Sequence, residues 1–430
     1  MEQPTTAFPE WNFSKKTAFR FFFIFFILYV FFNPNGFFPY YDYVYEFYIT
    51  PFRQLVPWAG KNILGLAEEA TDHPTGSGDT LFAYVTLFLI AATSFTGCII
   101  WTIADRRRKS YNTLYYWLTV VVRYYLALTM LSYGFYKVYK LQFPFPGPGI
   151  LSEPYGASSP MRLAWTFMGF SKGYNYFTGF GEVFSGLFLL FRRSATMGAL
   201  LSLVVAGNVM AINYFFDVPV KLLSTMLVVM SLFLLAKDAK RLLNFLVLNK
   251  TAEPSNIAIP EFKKKWMNIC LVVLKYAVLL FVFYSNISGG IDGLKEYGDD
   301  APKAPLYGIY NVETFIKNND TLPPLKTDTL RWNKLIVSWQ GYAGVKMMND
   351  SSQSYAFEPD TIAKKIVMYN YDDTARKSLF TYSIPEKDVM ILSGKWNQDS
   401  VTISMKKYDL NNFLLVSRGF HWVNEYPYNR

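Results

Sequence analysis

The chain has 430 residues, of which 52% are hydrophobic, 19% aromatic and only 17% charged. A soluble domain carries about 25% charged residues, so this composition argues against a single soluble enzyme and against a disordered chain. Its 42 basic and 32 acidic residues give a net charge of +10, which suits either a nucleic-acid binder or a membrane protein with basic cytoplasmic loops. Two Cys and two His leave little material for a disulfide framework or a multi-His metal or haem site.

About seven apolar stretches reach membrane length, for which a helix needs roughly 20 residues. The first, Thr17–Phe32, follows Lys15 and Lys16. No small-x-small cleavage site comes after it, only Asn33-Pro34-Asn35-Gly36, so it reads as an uncleaved signal anchor. In the aromatic-rich loop 34–78, the spacing of Phe52, Leu55, Val56, Ala59, Ile63 and Leu66 predicts a helix within Thr50–Ala67. It either lies in the membrane interface or packs on the ends of the bundle. The remaining stretches are Leu81–Ala104, Asn112–Tyr139, Tyr174–Phe191, Ala195–Phe215, Val218–Ala236 and Trp266–Asn286.

Charge orients these stretches without conflict. Lys15/Lys16, Arg106–Lys109, Arg192/Arg193, Lys237–Lys250 and Lys263–Lys265 fall on one side, and the loop 33–79 on the other carries more acids than bases. The positive-inside rule then places the N-terminus in the cytoplasm and the C-terminal region outside. The basic excess becomes a topology signal, and no nucleic-acid partner is expected.

From about Ser288 the composition changes. After a linker come short alternating runs at Leu306–Val312, Leu335–Trp339, Lys365–Tyr371, Ser378–Tyr382, Val389–Leu392, Val401–Lys406 and Phe413–Val416. Turn signals such as Asn349-Asp350 and Asn397-Gln398-Asp399 separate them. The expected fold is therefore a membrane all-α bundle of about seven helices plus a C-terminal extracytoplasmic all-β domain, a small sandwich or barrel. The expected segments are 1–111 (two helices and a long outer loop), 112–250 (a four-helix module), 251–305 (the seventh helix and linker) and 306–430 (the β domain).

Ionisable residues inside spanning helices are costly and point to function. Arg123 and Glu182 both read as near mid-membrane on neighbouring antiparallel helices, and Gly179, Glu182 and Gly186 share a face. The expectation is an Arg123–Glu182 ion pair, which either fixes helix register or serves a substrate, quinone or proton. Lys137, with Tyr133 and Tyr136 beside it, either snorkels to the interface or contacts a ligand. Asp217 and Lys221 bracket a turn, with Asp217 placed to cap the helix after it. Asn208 and Asn213 are placed to hydrogen-bond across helices, and Arg20 and Lys275 to snorkel. Cys98 and Cys270 read as small core residues. No metal site is expected.

Several of these residues sit in recognisable motifs. Tyr133-Gly134-Phe135-Tyr136-Lys137 and Gly179-Phe180-Gly181-Glu182, followed by Gly186-Leu187, match a Gly-x-x-Lys and a Gly-x-x-Glu pattern. With Gln142-Phe-Pro, Ser159-Pro-Met, Asn208 and Asp217-Val-Pro-Val-Lys221, the region 115–240 resembles the DoxX-like family, a four-helix membrane module. The whole layout resembles large DoxX-like proteins of Bacteroidota, which implies a bacterial inner membrane with the C-terminal domain in the periplasm. The resemblance makes Lys137 and Glu182 the leading candidates for whatever the module does. Some family members resemble the small membrane subunit of a thiosulfate:quinone oxidoreductase, and others are linked with thiol or oxidative-stress systems.

Two functions are expected from this reading. One is a redox-associated subunit that holds a quinone-like ligand among Arg123, Tyr133, Lys137 and Glu182, with electrons supplied by a partner. No other cofactor is evident. The other is a non-enzymatic envelope scaffold whose outer domain binds a protein partner. In that reading the aromatic terminus containing His421 and Trp422 either docks the partner or forms a last strand of the β core.

Overall fold

The computed structural model describes residues 10–34, 41–73, 75–252 and 264–429. Asn35, Gly36, Lys263 and Arg430, which enter the sequence reading, lie outside the described residues. The chain forms two compact units: Met1–Phe143 with Lys172–Leu294, and Pro144–Ser171 with Lys295–Arg430. The second unit is therefore discontinuous in sequence.

The first unit is helical. It contains α1 (Phe13–Phe32), α2 (Tyr41–Ile49), α3 (Phe52–Asn62), α4 (Leu81–Ala104) and α5 (Asn112–Val138). Two short helices, α6 (Pro148–Leu151) and α7 (Pro160–Phe170), fall in the second unit. The first unit resumes with α8 (Lys172–Leu190), α9 (Ala195–Phe215), α10 (Lys221–Ala236), α11 (Ala239–Leu246) and α12 (Lys265–Glu296).

Each of the seven apolar stretches folds as a helix. Among the described residues, α4, α5, α9 and α12 are long and apolar enough to cross a membrane. A fifth span results if α10 and α11, bent by 82° at Lys237–Asp238, are taken together. α1 has 20 residues but carries Lys15, Lys16 and Arg20 in its first two turns, and α8 has 19 residues.

α5 is the central helix and packs on α1, α8 and α10. Its buried side chains, from Leu118 to Leu131, cover most of its circumference, as expected for a helix enclosed by others. α12 is peripheral, and only Leu279, Val282, Gly290 and Gly293 are buried along it. Of the two cysteines, Cys98 is buried, but Cys270 lies on the exposed face of α12 and is not a core residue. The predicted helix in the aromatic loop is α3, and its Val56 and Ala59 cluster with Ala70, Phe82 and Val85. It thus packs on α4 and ends at Asn62, short of Ala67.

The C-terminal part of the second unit is a β-barrel. Its strands are β1 (Gly308–Lys317), β2 (Asp320–Thr321), β3 (Trp332–Trp339), β4 (Gly341–Met347), β5 (Ser352–Asp360), β6 (Lys365–Asn370), β7 (Asp373–Glu386), β8 (Val389–Trp396) and β9 (Asp399–Tyr408). From β3 to β9 each strand pairs antiparallel with the next, β1 pairs with β3, and β2 is a two-residue stub on β1. Closure comes from β1 against β9, from Ile309 opposite Tyr408 to Lys317 opposite Val401. The barrel therefore has eight closed strands. The β8–β9 turn has Asn397 and Gln398 at φ 49° and 76°, the two positive values of a type I′ hairpin turn.

An eight-stranded barrel is just wide enough to be filled by side chains or to hold one small ligand. This one is filled. The Trp396 ring lies 5.0 Å from Trp332, 5.0 Å from Tyr355 and 6.0 Å from Phe380. Arg331 is also buried, donating to the carbonyls of Leu322, Glu313 and Trp332 at 3.1–3.2 Å. Burial pushes its pKa below the usual arginine value.

Two sequence expectations change here, and one contact was outside them. β4 and β5 were not anticipated: β4 contains two glycines and β5 a proline, both poor strand signals. Phe413–Val416 is not a strand, because β9 already completes the closure; Leu414–Ser417 forms a single helical turn. Finally, α6 packs on β1 and β3, with the Gly149 N–H donating to Ser338 Oγ at 3.2 Å.

Candidate functional site: a buried lysine–glutamate pair

The site begins with three glycines. A Cβ built on Gly134 would lie 2.7 Å from Val183 Cγ2 and 2.9 Å from the Gly179 carbonyl; one built on Gly186 would lie 2.8 Å from the Ala127 carbonyl. Gly179 in turn faces the Gly134 carbonyl at 2.9 Å. Small residues at these positions let the α5 and α8 backbones touch, and the contacts fix the antiparallel register.

That register decides which charges meet. Since Gly186 faces Ala127, Glu182 is level with about Leu131. Arg123 lies eight residues away along α5, about 12 Å at 1.5 Å per residue. Helix side chains lean toward their own N-terminus, so Arg123 leans away from Glu182. The lean of Lys137, which starts on the other side, carries it toward Glu182. The expected Arg123–Glu182 pair does not form. The partner of Glu182 is Lys137, whose Nζ donates to Glu182 Oε1.

The side chains of Lys137 and Glu182 are only 5% and 4% exposed, so Lys137 does not snorkel. Glu182 Oε2 is also buried and has no hydrogen-bond partner among the described residues. Tyr133, half-buried, lies within electrostatic reach of Glu182. Ser185 Oγ donates to the Glu182 carbonyl at 2.7 Å, which holds the local turn. Lys140, not singled out from sequence, follows the Tyr139 cap of α5 at φ 56° and is buried as well.

The other predicted residues lie elsewhere. Arg123 is level with Leu190 at the end of α8, not midway along it, and stacks on Tyr124 at 5.2 Å. Asn208 is exposed on α9 and does not join the buried network. Asn213 is buried but donates to the Val220 carbonyl at 3.1 Å, closing a turn rather than bridging helices. Asp217 does not cap α10. It is exposed at φ 52° and accepts from Lys221 Nζ at 2.8 Å.

The cap of α10 is Asp79, which accepts from the N–H groups of Lys221 and Leu222 at 2.7 and 2.9 Å. Its position directly before the Thr80 cap of α4 marks a helix start, but nothing local reveals that it serves a second helix 142 residues on. Arg20 does not snorkel either. It is 2% exposed and donates to Tyr111 Oη, Thr102 Oγ1 and the Asp105 carbonyl at 2.8–3.0 Å. Tyr111 Oη donates onward to Asp105 Oδ2 at 2.9 Å, so the network ties α1, α4 and α5 together. His421 and Trp422 lie on an exposed tail after the barrel, with the Trp422 ring 5.1 Å from Phe420.

Fold and site together define a class: a helical chain with membrane-length apolar helices, a buried Lys–Glu pair where two glycine-faced helices touch, and a filled eight-stranded barrel. The chain is 40% identical over 119 residues to the uncharacterized protein YwoB of Bacillus subtilis (strain 168). The aligned part is 28% of this chain and 75% of that protein, and the chain belongs to the same family as YwoB. No family model matches the chain, and no solved structure matches it.

Proposed function

We propose that this is a DoxX-like membrane protein whose helical module holds a quinone-like ligand against the Lys137–Glu182 pair. In this reading the seven apolar helices span a bacterial inner membrane, the basic loops face the cytoplasm, and the barrel lies in the periplasm. One observation carries the ligand: Glu182 Oε2 is a buried acceptor with no hydrogen-bond partner among the described residues. A buried acceptor without a partner costs about 1–3 kcal/mol, and a hydroquinone hydroxyl would relieve that cost by donating to it. Lys137 Nζ would donate to the quinone carbonyl, and Tyr133 would border the ring. Electrons would come from a partner protein in the envelope.

The test is extraction of quinones from gently purified full-length protein. A bound quinone is expected in the wild type and lost from the double variant Lys137→Met/Glu182→Gln, which removes both charges at once. Retention of the quinone in a folded double variant refutes the assignment.

A second reading has one observation of its own. The tail after the barrel exposes Phe420, Trp422, Val423 and Tyr426, with Trp422 at 91%. None of these residues is needed to complete the barrel. As a scaffold, the protein would present them to a partner in envelope assembly or export. Deleting 413–430 would then release the partner while leaving the barrel intact.

A further inference from the structure

Arg123 leaves the Lys137–Glu182 site unexplained, and it keeps other company. At the end of the module where α8 stops, cations from four parts of the first unit converge. Arg192, after α8, stacks on Tyr116 of α5 at 5.7 Å, seven residues before Arg123 and on the same face. Lys275 of α12 lies over Phe191 at 5.2 Å, next to Arg192 in sequence. Lys237, at the α10–α11 bend, lies within electrostatic reach of Asp238 first and then of Arg123 and Arg192, and Lys275 lies within reach of the same two arginines. Four cations with one acid among them leave an excess of like charge, which is destabilising.

The acid at hand is already engaged. Asp238 accepts from Thr196 Oγ1 at 2.6 Å and pairs with Arg241 at 3.4 Å. Arg123 Nε, by contrast, is buried with no hydrogen-bond partner among the described residues. The cluster thus combines four positive charges with an unused guanidinium donor, and guanidinium matches phosphate oxygens in geometry as well as charge.

The surroundings choose among anions. α11 runs at 82° to α10, so if α10 crosses the bilayer, α11 lies along its surface. Its Leu243, Phe245 and Leu246 are exposed beside Lys240 and Arg241, the pattern of an interfacial helix. The cation cluster begins at that bend, which in this arrangement is at headgroup depth. Phe191 and Leu274 expose apolar surface next to it, where acyl chains would run.

We propose that Arg123, Arg192, Lys237 and Lys275 form a binding site for the phosphate headgroup of an anionic phospholipid. Basic pockets between spanning helices on the cytoplasmic side are suited to such headgroups. The inference does not depend on the quinone reading.

The experiment is native mass spectrometry of the full-length protein from nanodiscs containing phosphatidylglycerol or phosphatidylcholine. We expect one retained phosphatidylglycerol and at least tenfold weaker retention of phosphatidylcholine. Arg123→Ala and Lys275→Ala should each weaken phosphatidylglycerol retention about five- to tenfold, the effect of losing one interfacial cation. Arg193→Ala, outside the cluster, should behave as wild type. Lys275 sits on the peripheral helix, so its variant keeps the test decisive if Arg123→Ala fails to fold. Equal retention of both lipids, or unchanged retention in Lys275→Ala, overturns the proposal. So does displacement of the lipid by excess inorganic phosphate, which would make this a site for free phosphate.

Discussion

Removing one partner of the Lys137–Glu182 pair should cost far more than removing both. Each charge sits in a side chain no more than 5% exposed. Glu182→Gln strands an ammonium among apolar helices, and Lys137→Met strands a carboxylate. Breaking a buried pair in this way costs about 3–5 kcal/mol, whereas replacing both partners with neutral groups of similar size is often neutral or stabilising. We therefore expect each single variant to lose about 3–5 kcal/mol and the double variant to lose less than about 1 kcal/mol. The coupling would exceed the usual range of about 0.5–3 kcal/mol for contacting residues. The assay is a double-mutant cycle on equilibrium unfolding in one fixed detergent. If the two single effects simply add in the double variant, the pair is not the interaction that the α5–α8 contact builds. The cycle also tests the ligand reading, because a stable double variant without quinone separates binding from folding.

Three further outcomes follow from the geometry. Gly134→Leu places side-chain atoms where Val183 and the Gly179 carbonyl lie within 3 Å of a bare Cβ; it should force α5 and α8 apart and cost about 3 kcal/mol, seen as a lower midpoint of equilibrium unfolding in the same detergent. Asp79→Ala should cost about 1 kcal/mol by uncapping α10, with faster amide exchange at Lys221 and Leu222 and none of the loss of quinone expected when the pair is removed. Lys317 and then Asn318 hold the Asp399 carboxyl below its ordinary pKa of 3.8. A depressed acid adds stability above its unfolded pKa and loses it as pH falls through the folded value, so the barrel's tryptophan-monitored melting point should drop below about pH 4, and Asp399→Asn should flatten that drop.

The sequence makes the helices and most of the strands legible because both follow from local periodicity. The seven apolar runs are helical, and the runs at Leu335–Trp339 and Val401–Lys406 fall inside strands. Lys137 and Glu182 stand out because charge in an apolar run is costly. Their pairing is less legible. Arg123 and Glu182 look matched when depth is counted from helix ends, but depth is set by where Gly134, Gly179 and Gly186 let the backbones meet. Asp79 is unreadable for a different reason: its target N–H groups are 142 residues away. At Phe413–Val416 the local pattern suggests a strand, yet no ladder remains open for it once β1 and β9 have paired.

That closure also orders events during synthesis. β1 is the first barrel strand to leave the ribosome and β9 the last, and each supplies one side of the seam. Until β9 arrives, one edge of β1 has no partner, and an exposed strand edge invites pairing with another chain. The barrel therefore cannot finish folding piecemeal. A stop codon anywhere before Asp399 would remove the whole seam, and a slow ribosome over the last strands would prolong the interval in which an unfinished barrel is open to aggregation.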